Sequence, residues 1–214
     1  MALSAAAKKI ISEFSNSNVK LGDIKKRGKE IKLDHDLALE LWSTGGHQAR
    51  LLSTLIFDKK LLAQETIDRL ASDLLTQDED ERNQLSDWLL ANQLTKDKKL
   101  IALLESWQES ATPLLRRWFW YYQARLRWTG RTPPPGSSAD LLNSLEASMK
   151  TEEPGVQWAM NFCAGWIGIF EPDLRARCVK LGKVLELYKD DPVAKNCTPS
   201  YLPEFIRIEV AKRN

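Results

Sequence analysis

Residues 34–57, DHDLALELWSTGGHQARLLSTLIF, form the stretch that decides the fold. We expect two short helices joined by a tight turn. Asp34 can cap the first helix by accepting hydrogen bonds from its unpaired amides. Gly45 and Gly46 can adopt the positive φ that commonly ends a helix. Two helices this short cannot bury their apolar faces alone, so the pair must stack on neighbouring helices.

Helix signals recur along the rest of the chain, whereas the alternating apolar pattern typical of a half-buried strand is missing. The sequence therefore predicts an all-α protein. The further helices are expected at residues 2–14, 21–31, 61–75, 78–94, 97–109, 112–128, 139–150, 155–169 and 172–187, and from about residue 199.

The opening helix pair has a similar copy later in the chain. LALELWSTGGHQARLL, residues 37–52, aligns with ALLESWQESATPLLRR, residues 102–117, and residues 142–160 give a weaker third copy. The alignment places Trp42 with Trp107 and Arg50 with Arg116. Repeats of about 40 residues built from helix pairs are typical of HEAT-like α-solenoids. We therefore expect an α-solenoid of about five or six antiparallel helix pairs, with an ordinary helical bundle as the alternative.

One loop stands out as a possible internal boundary. Residues 129–138 contain three consecutive prolines followed by Gly136, and such a segment cannot be helical. The loop is short, so we expect a single domain over residues 1–214 with this loop as an internal boundary.

Composition excludes several classes of protein. The chain has 43% hydrophobic and 28% charged residues and a net charge of +2, which is ordinary for a soluble globular protein. No apolar run reaches the length of a membrane span, and the N-terminus lacks a secretory signal pattern. The three cysteines show no paired spacing, which argues against a disulfide framework and a zinc site. We expect a cytoplasmic monomer without a metal or cofactor.

Three segments resemble a known family. KRGKEIKLDHDLALELWSTGGHQARLLSTLI, residues 26–56, is similar to the N-terminal part of the DNA alkylation repair family, the AlkD-like HEAT-repeat DNA glycosylases. VQWAMNFCAGWIGI, residues 156–169, resembles a later segment of that family. Residues 181–206 resemble the C-terminal end of one of its branches. The three segments occur in the family's order, and the range from residue 26 to residue 206 that they span is most of the chain.

The resemblance implies excision of cationic N3- or N7-alkylated purines from duplex DNA. The positive charge of such a base already weakens its glycosidic bond, so a carboxylate near the sugar can stabilise the developing positive charge. Aromatic rings can hold the cationic base and the sugar, and arginines can hold the phosphates.

Carried over by position, the family's catalytic Asp matches Asp87, in NQLSDWLLANQL. The family's Arg matches Arg116 or Arg117, which the alignment does not separate. The chain departs from the family at both Trp positions. Asn83 stands one turn before Asp87, and Phe162 stands at the second position.

A third departure lies three residues after Phe162, where Gly165 replaces an Arg that the family often has. The acid and the arginines are thus retained, while the aromatic surroundings of the lesion are reduced.

Residues 112–131, TPLLRRWFWYYQARLRWTGR, carry five arginines and six aromatic residues, including Trp120, with no Asp or Glu. Leu114, Leu115, Trp118, Tyr122 and Leu126 share the spacing of an inward face, which would leave the arginines outside. Arginines beside aromatic rings suit phosphate contact and base stacking. The alternative is a core helix whose arginines pair with an acidic helix such as residues 78–81.

These patterns predict a DNA alkylation repair protein that binds duplex DNA, alkylated or otherwise damaged, in a basic concave groove. Asp87 is the catalytic candidate, as an electrostatic catalyst of excision. The candidates for DNA binding are Arg50, Arg116, Arg117, Asn83, Phe162 and Trp120. The alternatives are a non-catalytic DNA-binding homologue and a protein-interaction scaffold.

Overall fold

The computed structural model describes residues 3–15, 19–131 and 133–213, and these residues contain helices and no β-strand. The all-α prediction is confirmed. Twelve α-helices occur within the described ranges: α1 (Ala5–Phe14), α2 (Leu21–Ile31), α3 (His35–Ser43), α4 (His47–Ile56), α5 (Gln64–Leu74), α6 (Glu79–Leu89), α7 (Lys98–Ser106), α8 (Pro113–Trp128), α9 (Ser137–Ser148), α10 (Pro154–Phe170), α11 (Pro172–Leu185) and α12 (Leu202–Ala211).

The observed helix bounds lie close to the expected ranges. Helix α6 continues into a π-helical segment, Leu90–Leu94, so the helical path reaches the expected end at residue 94. Residue 2, which the sequence placed in the first helix, lies outside the described residues, as does residue 132 of the proline-rich loop.

The pair α3–α4 forms as expected, with one correction at its turn. The Asp34 carboxylate accepts a hydrogen bond from the Leu37 amide at 3.0 Å and caps α3. Gly45 has a φ of 76°, which an L side chain rarely adopts. The prediction of a positive φ at Gly46 is wrong, since Gly46 is the extended N-cap residue of α4 and its φ is −69°.

The described residues form two compact units, which divide between Glu105 and Ser106. The proline-rich loop lies inside the second unit, and the expectation of a single domain stays a prediction. In the first unit α4 is the central helix, because it packs against α1, α2, α3 and α6. Its buried residues extend around most of its circumference.

The second unit is built on α8 and α10, which pack along each other. Both helices are buried along most of their length, so each needs apolar residues on nearly every face. The five residues expected on the inward face of α8 are all buried, as predicted.

Helix α12 packs closely on α10 and α11 because glycines face it. A Cβ atom built on Gly165 would lie 2.7 Å from the Phe205 ring, and one on Gly168 would lie 2.6 Å from Ile206. A Cβ on Gly182 would lie 2.7 Å from the Cβ of Leu202. The absence of a side chain at these positions allows the backbones to approach. Among the described helices, none combines the length and apolarity needed to cross a membrane.

Candidate nucleic-acid interface

The candidate residues divide between the two units. Asn83, Asp87 and Arg50 belong to the first unit, whereas Arg116, Arg117, Trp120 and Phe162 belong to the second. A single groove shared by Arg50 and the two arginines of α8 stays a prediction.

Asp87 lies on α6 beside the buried residues Leu85, Ser86 and Leu89. Its carboxylate oxygen Oδ1 is shielded from solvent, although the residue as a whole is partly exposed. The next residue, Trp88, lies under the ammonium group of Lys25, whose Nζ is 5.3 Å from the ring centroid. Asn83, one turn earlier, is also partly exposed. A carboxylate, an amide and an aromatic ring with a cation therefore occur along this part of α6.

Arg50 is buried and its donors are directed at the protein. Its Nε donates to the Trp42 carbonyl at 3.1 Å, and its Nη1 donates to the Asp73 carbonyl at 2.9 Å. Its guanidinium carbon lies 5.3 Å from the Trp42 ring centroid. Burial lowers the pKa of Arg50, while the charges of Asp73 and Glu81 oppose that shift. Arg50 thus binds the carboxyl ends of α3 and α5 together, and its contact with DNA stays a prediction.

Arg116 makes a two-pronged ion pair with Glu152. Its Nε donates to Oε1 at 3.0 Å and its Nη2 donates to Oε2 at 2.8 Å. Its Nη1 donates to the Ser110 carbonyl at 2.7 Å. Arg116 and Arg50 align in the repeats, but Arg50 bonds the end of α3, whereas Arg116 bonds the loop that joins α7 to α8. A phosphate would have to compete with Glu152 for this guanidinium.

Arg117 lies among aromatic rings rather than in solvent. Its guanidinium carbon is 5.7 Å from the Tyr121 ring centroid and 5.8 Å from that of Trp158. Phe162 stacks on both rings, with centroids 5.8 Å from Tyr121 and 5.1 Å from Trp158. We call Tyr121, Trp158 and Phe162 with Arg117 the inner ring cluster. It places Phe162 and Arg117, two predicted site residues, in one group.

The expected outward placement of the α8 arginines is partly wrong. Arg117 and Arg127 are buried in the second unit, where α8 packs along α10. Trp120 is 2% exposed and packs edge-on against Phe119, so it belongs to the core and offers no ring face to DNA. Arg127 donates from Nε to Glu171 at 2.8 Å and also donates to the Ser138 hydroxyl.

A second group of rings escaped the sequence analysis. Trp128 stacks on Trp166 with centroids 6.0 Å apart, and Trp166 stacks on Phe170 at 5.7 Å. Arg125 lies 5.8 Å from the Trp128 centroid, and Arg213 lies 5.1 Å from that of Trp166. We call Trp128, Trp166 and Phe170 the outer ring row. A signal existed, because α10 carries Trp158, Phe162, Trp166 and Phe170 at intervals of four residues.

Arg213 is held in place by Glu209. The Glu209 carboxylate accepts hydrogen bonds from Arg213 at 2.6 Å and from Lys212 at 2.7 Å. Burial alone would raise the pKa of Glu209, but the hydrogen bonds from Lys212, Arg213 and Thr198 together outweigh burial and lower it to about 2. The carboxylate stays charged at neutral pH, and the guanidinium remains beside the rings.

A small cavity of about 170 Å³ adjoins the inner ring cluster. Its wall combines aromatic and polar side chains, namely Trp158, Asn161, Phe162, Thr198, Ser200 and Phe205. Asn161 donates to the Ser200 carbonyl at 2.8 Å, which ties α10 to the segment before α12.

Two of the three cysteines, Cys163 and Cys178, are buried. Within the described ranges, no three or more His, Cys, Asp or Glu side chains form a group that could hold a metal ion. Burial raises the pKa of Cys163 and Cys178 to about 12. These thiols are therefore protonated at neutral pH and are poor nucleophiles.

Comparison with solved structures supports the fold. The chain is similar to a structure described as "a new family of proteins related to the HEAT-like repeat DNA glycosylases with affinity for branched DNA structures". The TM-score is 0.70 at 23% sequence identity, and the likeness covers 98% of this chain and 89% of the other. The predicted HEAT-like helical fold is confirmed by this likeness.

Sequence comparison adds the family. No curated protein matches the chain significantly. Residues 5–179, however, match the family described as DNA alkylation repair enzyme. Because that match covers well over half of the sequence, the chain belongs to the DNA alkylation repair enzyme family.

Proposed function

We propose that this protein binds DNA in alkylation repair and prefers damaged or branched DNA to a regular duplex. The observation that carries the proposal is the inner ring cluster, in which Arg117 lies over two rings and Phe162 stacks on both. Phe162 occupies the position of the family's second Trp. Aromatic rings beside a guanidinium suit contact with bases and sugars. The affinity of the similar solved structure for branched DNA supports the same partner.

Binding to DNA should weaken with salt, because each phosphate contact releases counterions. We expect the affinity for a four-way junction and for a duplex of equal length to fall at least about tenfold between roughly 50 and 200 mM salt. Fluorescence anisotropy at several salt concentrations measures this dependence. A flat response would contradict the proposal and favour a protein-interaction scaffold.

Preference is measured by the ratio of the two affinities at one salt concentration. Phe162→Leu keeps an apolar side chain and removes the ring, so we expect it to reduce the ratio. Lys183→Ala, which removes an exposed cation from α11, is the control and should leave the ratio unchanged.

Excision of alkylated purines is a second candidate function. The shielded Oδ1 of Asp87 favours it, because a carboxylate with restricted access to water interacts strongly with developing positive charge. In this proposal Asp87 stabilises the sugar cation as the base leaves. The departures at Asn83 and Phe162 weaken the aromatic surroundings of the lesion, so DNA binding without excision is the favoured function.

Asp87→Asn is expected to reduce the release of 7-methylguanine or 3-methyladenine from alkylated DNA by about 100-fold or more. Asp80→Asn, at an exposed position in the first turn of the same helix, is the matched control and should release the bases at the wild-type rate. Single-turnover assays with excess protein measure this step. If the wild-type protein releases no base, the protein binds without excision.

A further inference from the structure

The outer ring row differs from the aromatic core around it by its exposure. Trp166 is 5% exposed, whereas Trp128 is 48% and Phe170 44% exposed. The rings are nearly parallel, with interplanar angles of 15° for Trp128–Trp166 and 21° for Trp166–Phe170. Burial of Trp166 fixes the orientation of the two outer rings, so each offers an aromatic surface to solvent.

Cations accompany these rings. Arg125 lies 5.8 Å from the Trp128 centroid. Arg213 lies 5.1 Å from the Trp166 centroid and 5.8 Å from that of Phe170. A guanidinium beside a ring favours an anionic ligand that also carries a planar group.

Two nearby acids are already paired. Glu209 binds Lys212 and Arg213, and Glu171, which follows Phe170, binds Arg127. The patch therefore combines exposed ring faces with the guanidinium groups of Arg125 and Arg213, which complements a chain of bases joined by phosphates.

We propose that the outer ring row is a stacking site for unpaired nucleobases of single-stranded DNA. This proposal rests on the proposed DNA-binding function and specifies which part of the DNA the outer ring row binds. In a duplex, neighbouring base pairs cover the faces of each base. Apart from the end pair of a duplex, the faces that Trp128 or Phe170 could stack on belong to unpaired bases at a branch point, gap or free strand. Arg125 and Arg213 then lie where they attract the adjoining phosphates.

The site is tested by equilibrium binding of the full-length protein to three DNA molecules. These are oligothymidylate, a blunt duplex, and the same duplex with a single-stranded branch. The double variant Trp128→Ala/Phe170→Ala should bind oligothymidylate at least about fivefold more weakly than the wild type, and the branched duplex more weakly as well. Binding to the blunt duplex should stay within about twofold.

Two further variants separate stacking from other causes. Trp128→Phe keeps an aromatic face, so it should retain affinity for oligothymidylate while losing part of the tryptophan fluorescence quenching that this DNA produces. Val184→Ala removes an exposed apolar side chain from α11 and should leave the affinities for all three DNA molecules unchanged. Circular dichroism spectra confirm that the variants are folded.

The outcomes distinguish the two proposals. If the wild type binds the duplex with salt dependence while the double variant binds oligothymidylate normally, the stacking site is wrong and DNA binding stands. If the double variant loses duplex and single-strand binding equally, selectivity for unpaired bases is wrong. If the wild type binds none of the three molecules, the proposed function itself fails.

Discussion

Replacing Glu171 by alanine is expected to lower the free energy of unfolding by about 3 kcal/mol. The Arg127 side chain is 1% exposed, and its Nε donates to Glu171 at 2.8 Å. Without the carboxylate, a guanidinium charge is left in the protein interior, hydrogen-bonded to the Gln123 carbonyl and the Ser138 hydroxyl. An uncompensated buried charge is among the costliest defects in a folded protein. Denaturant unfolding followed by tryptophan fluorescence measures the loss.

Two comparisons make this prediction specific. Glu146→Ala removes a solvent-exposed ion pair with Arg177 and should cost about 0 to 1 kcal/mol. The double variant Arg127→Met/Glu171→Leu removes both charges and should recover most of the stability, since apolar replacements of buried pairs are often neutral. If Glu171→Ala were as mild as Glu146→Ala, the burial of Arg127 would not contribute to stability in this way.

Trp42→Ala is expected to cost about 3 to 5 kcal/mol, because it empties the centre of the α3–α4 pair. Trp42 is 2% exposed, packs against Phe57 at 6.0 Å and donates from Nε1 to Asp73 at 3.1 Å. Arg50 also lies over its ring. The substitution therefore leaves a cavity, an unpaired carboxylate and a guanidinium without its ring.

Trp42→Phe separates these losses. It keeps much of the packing and removes the hydrogen bond to Asp73, so we expect about 1 to 2 kcal/mol. Leu33→Ala, at an exposed position just before α3, should stay within about 0.5 kcal/mol of the wild type. Equal losses for alanine and phenylalanine at position 42 would mean that the hydrogen bond, not the cavity, dominates.

The sequence predicts the helices well because their signals are local. Asp34 caps α3 by contacts within four residues, and the proline-rich loop interrupts the helices as proline must. The sequence does not predict the burial pattern of α8 equally well. Because this helix is covered on nearly every side, helical periodicity does not identify which arginines reach solvent. Arg127 is accommodated by Glu171, which lies 44 residues away in the sequence, and no local pattern reveals that pairing.

In the candidate site, too, the sequence identifies single residues but not the contacts between residues far apart in the sequence. The family resemblance led to Asp87 and Phe162, and the structure places both at partly exposed positions. The outer ring row depends on α8 meeting α10, so only the four-residue spacing along α10 could have suggested it. Gly165, which stands where the family often has an arginine, is the position against which Phe205 packs. Its partner lies 40 positions away, beyond the reach of any local rule.

The contacts between α12 and the glycines of α10 and α11 show where the second unit ends in the sequence. The family match ends at residue 179, whereas α12 begins at Leu202. Helix α12 nevertheless supplies Phe205 and Ile206 to the surface of α10 that the glycines leave open. A gene fragment cut at the end of the homologous region would lack part of the interior of its own second unit. The second unit therefore continues past residue 179, where the family match ends, and helix α12 is part of its core.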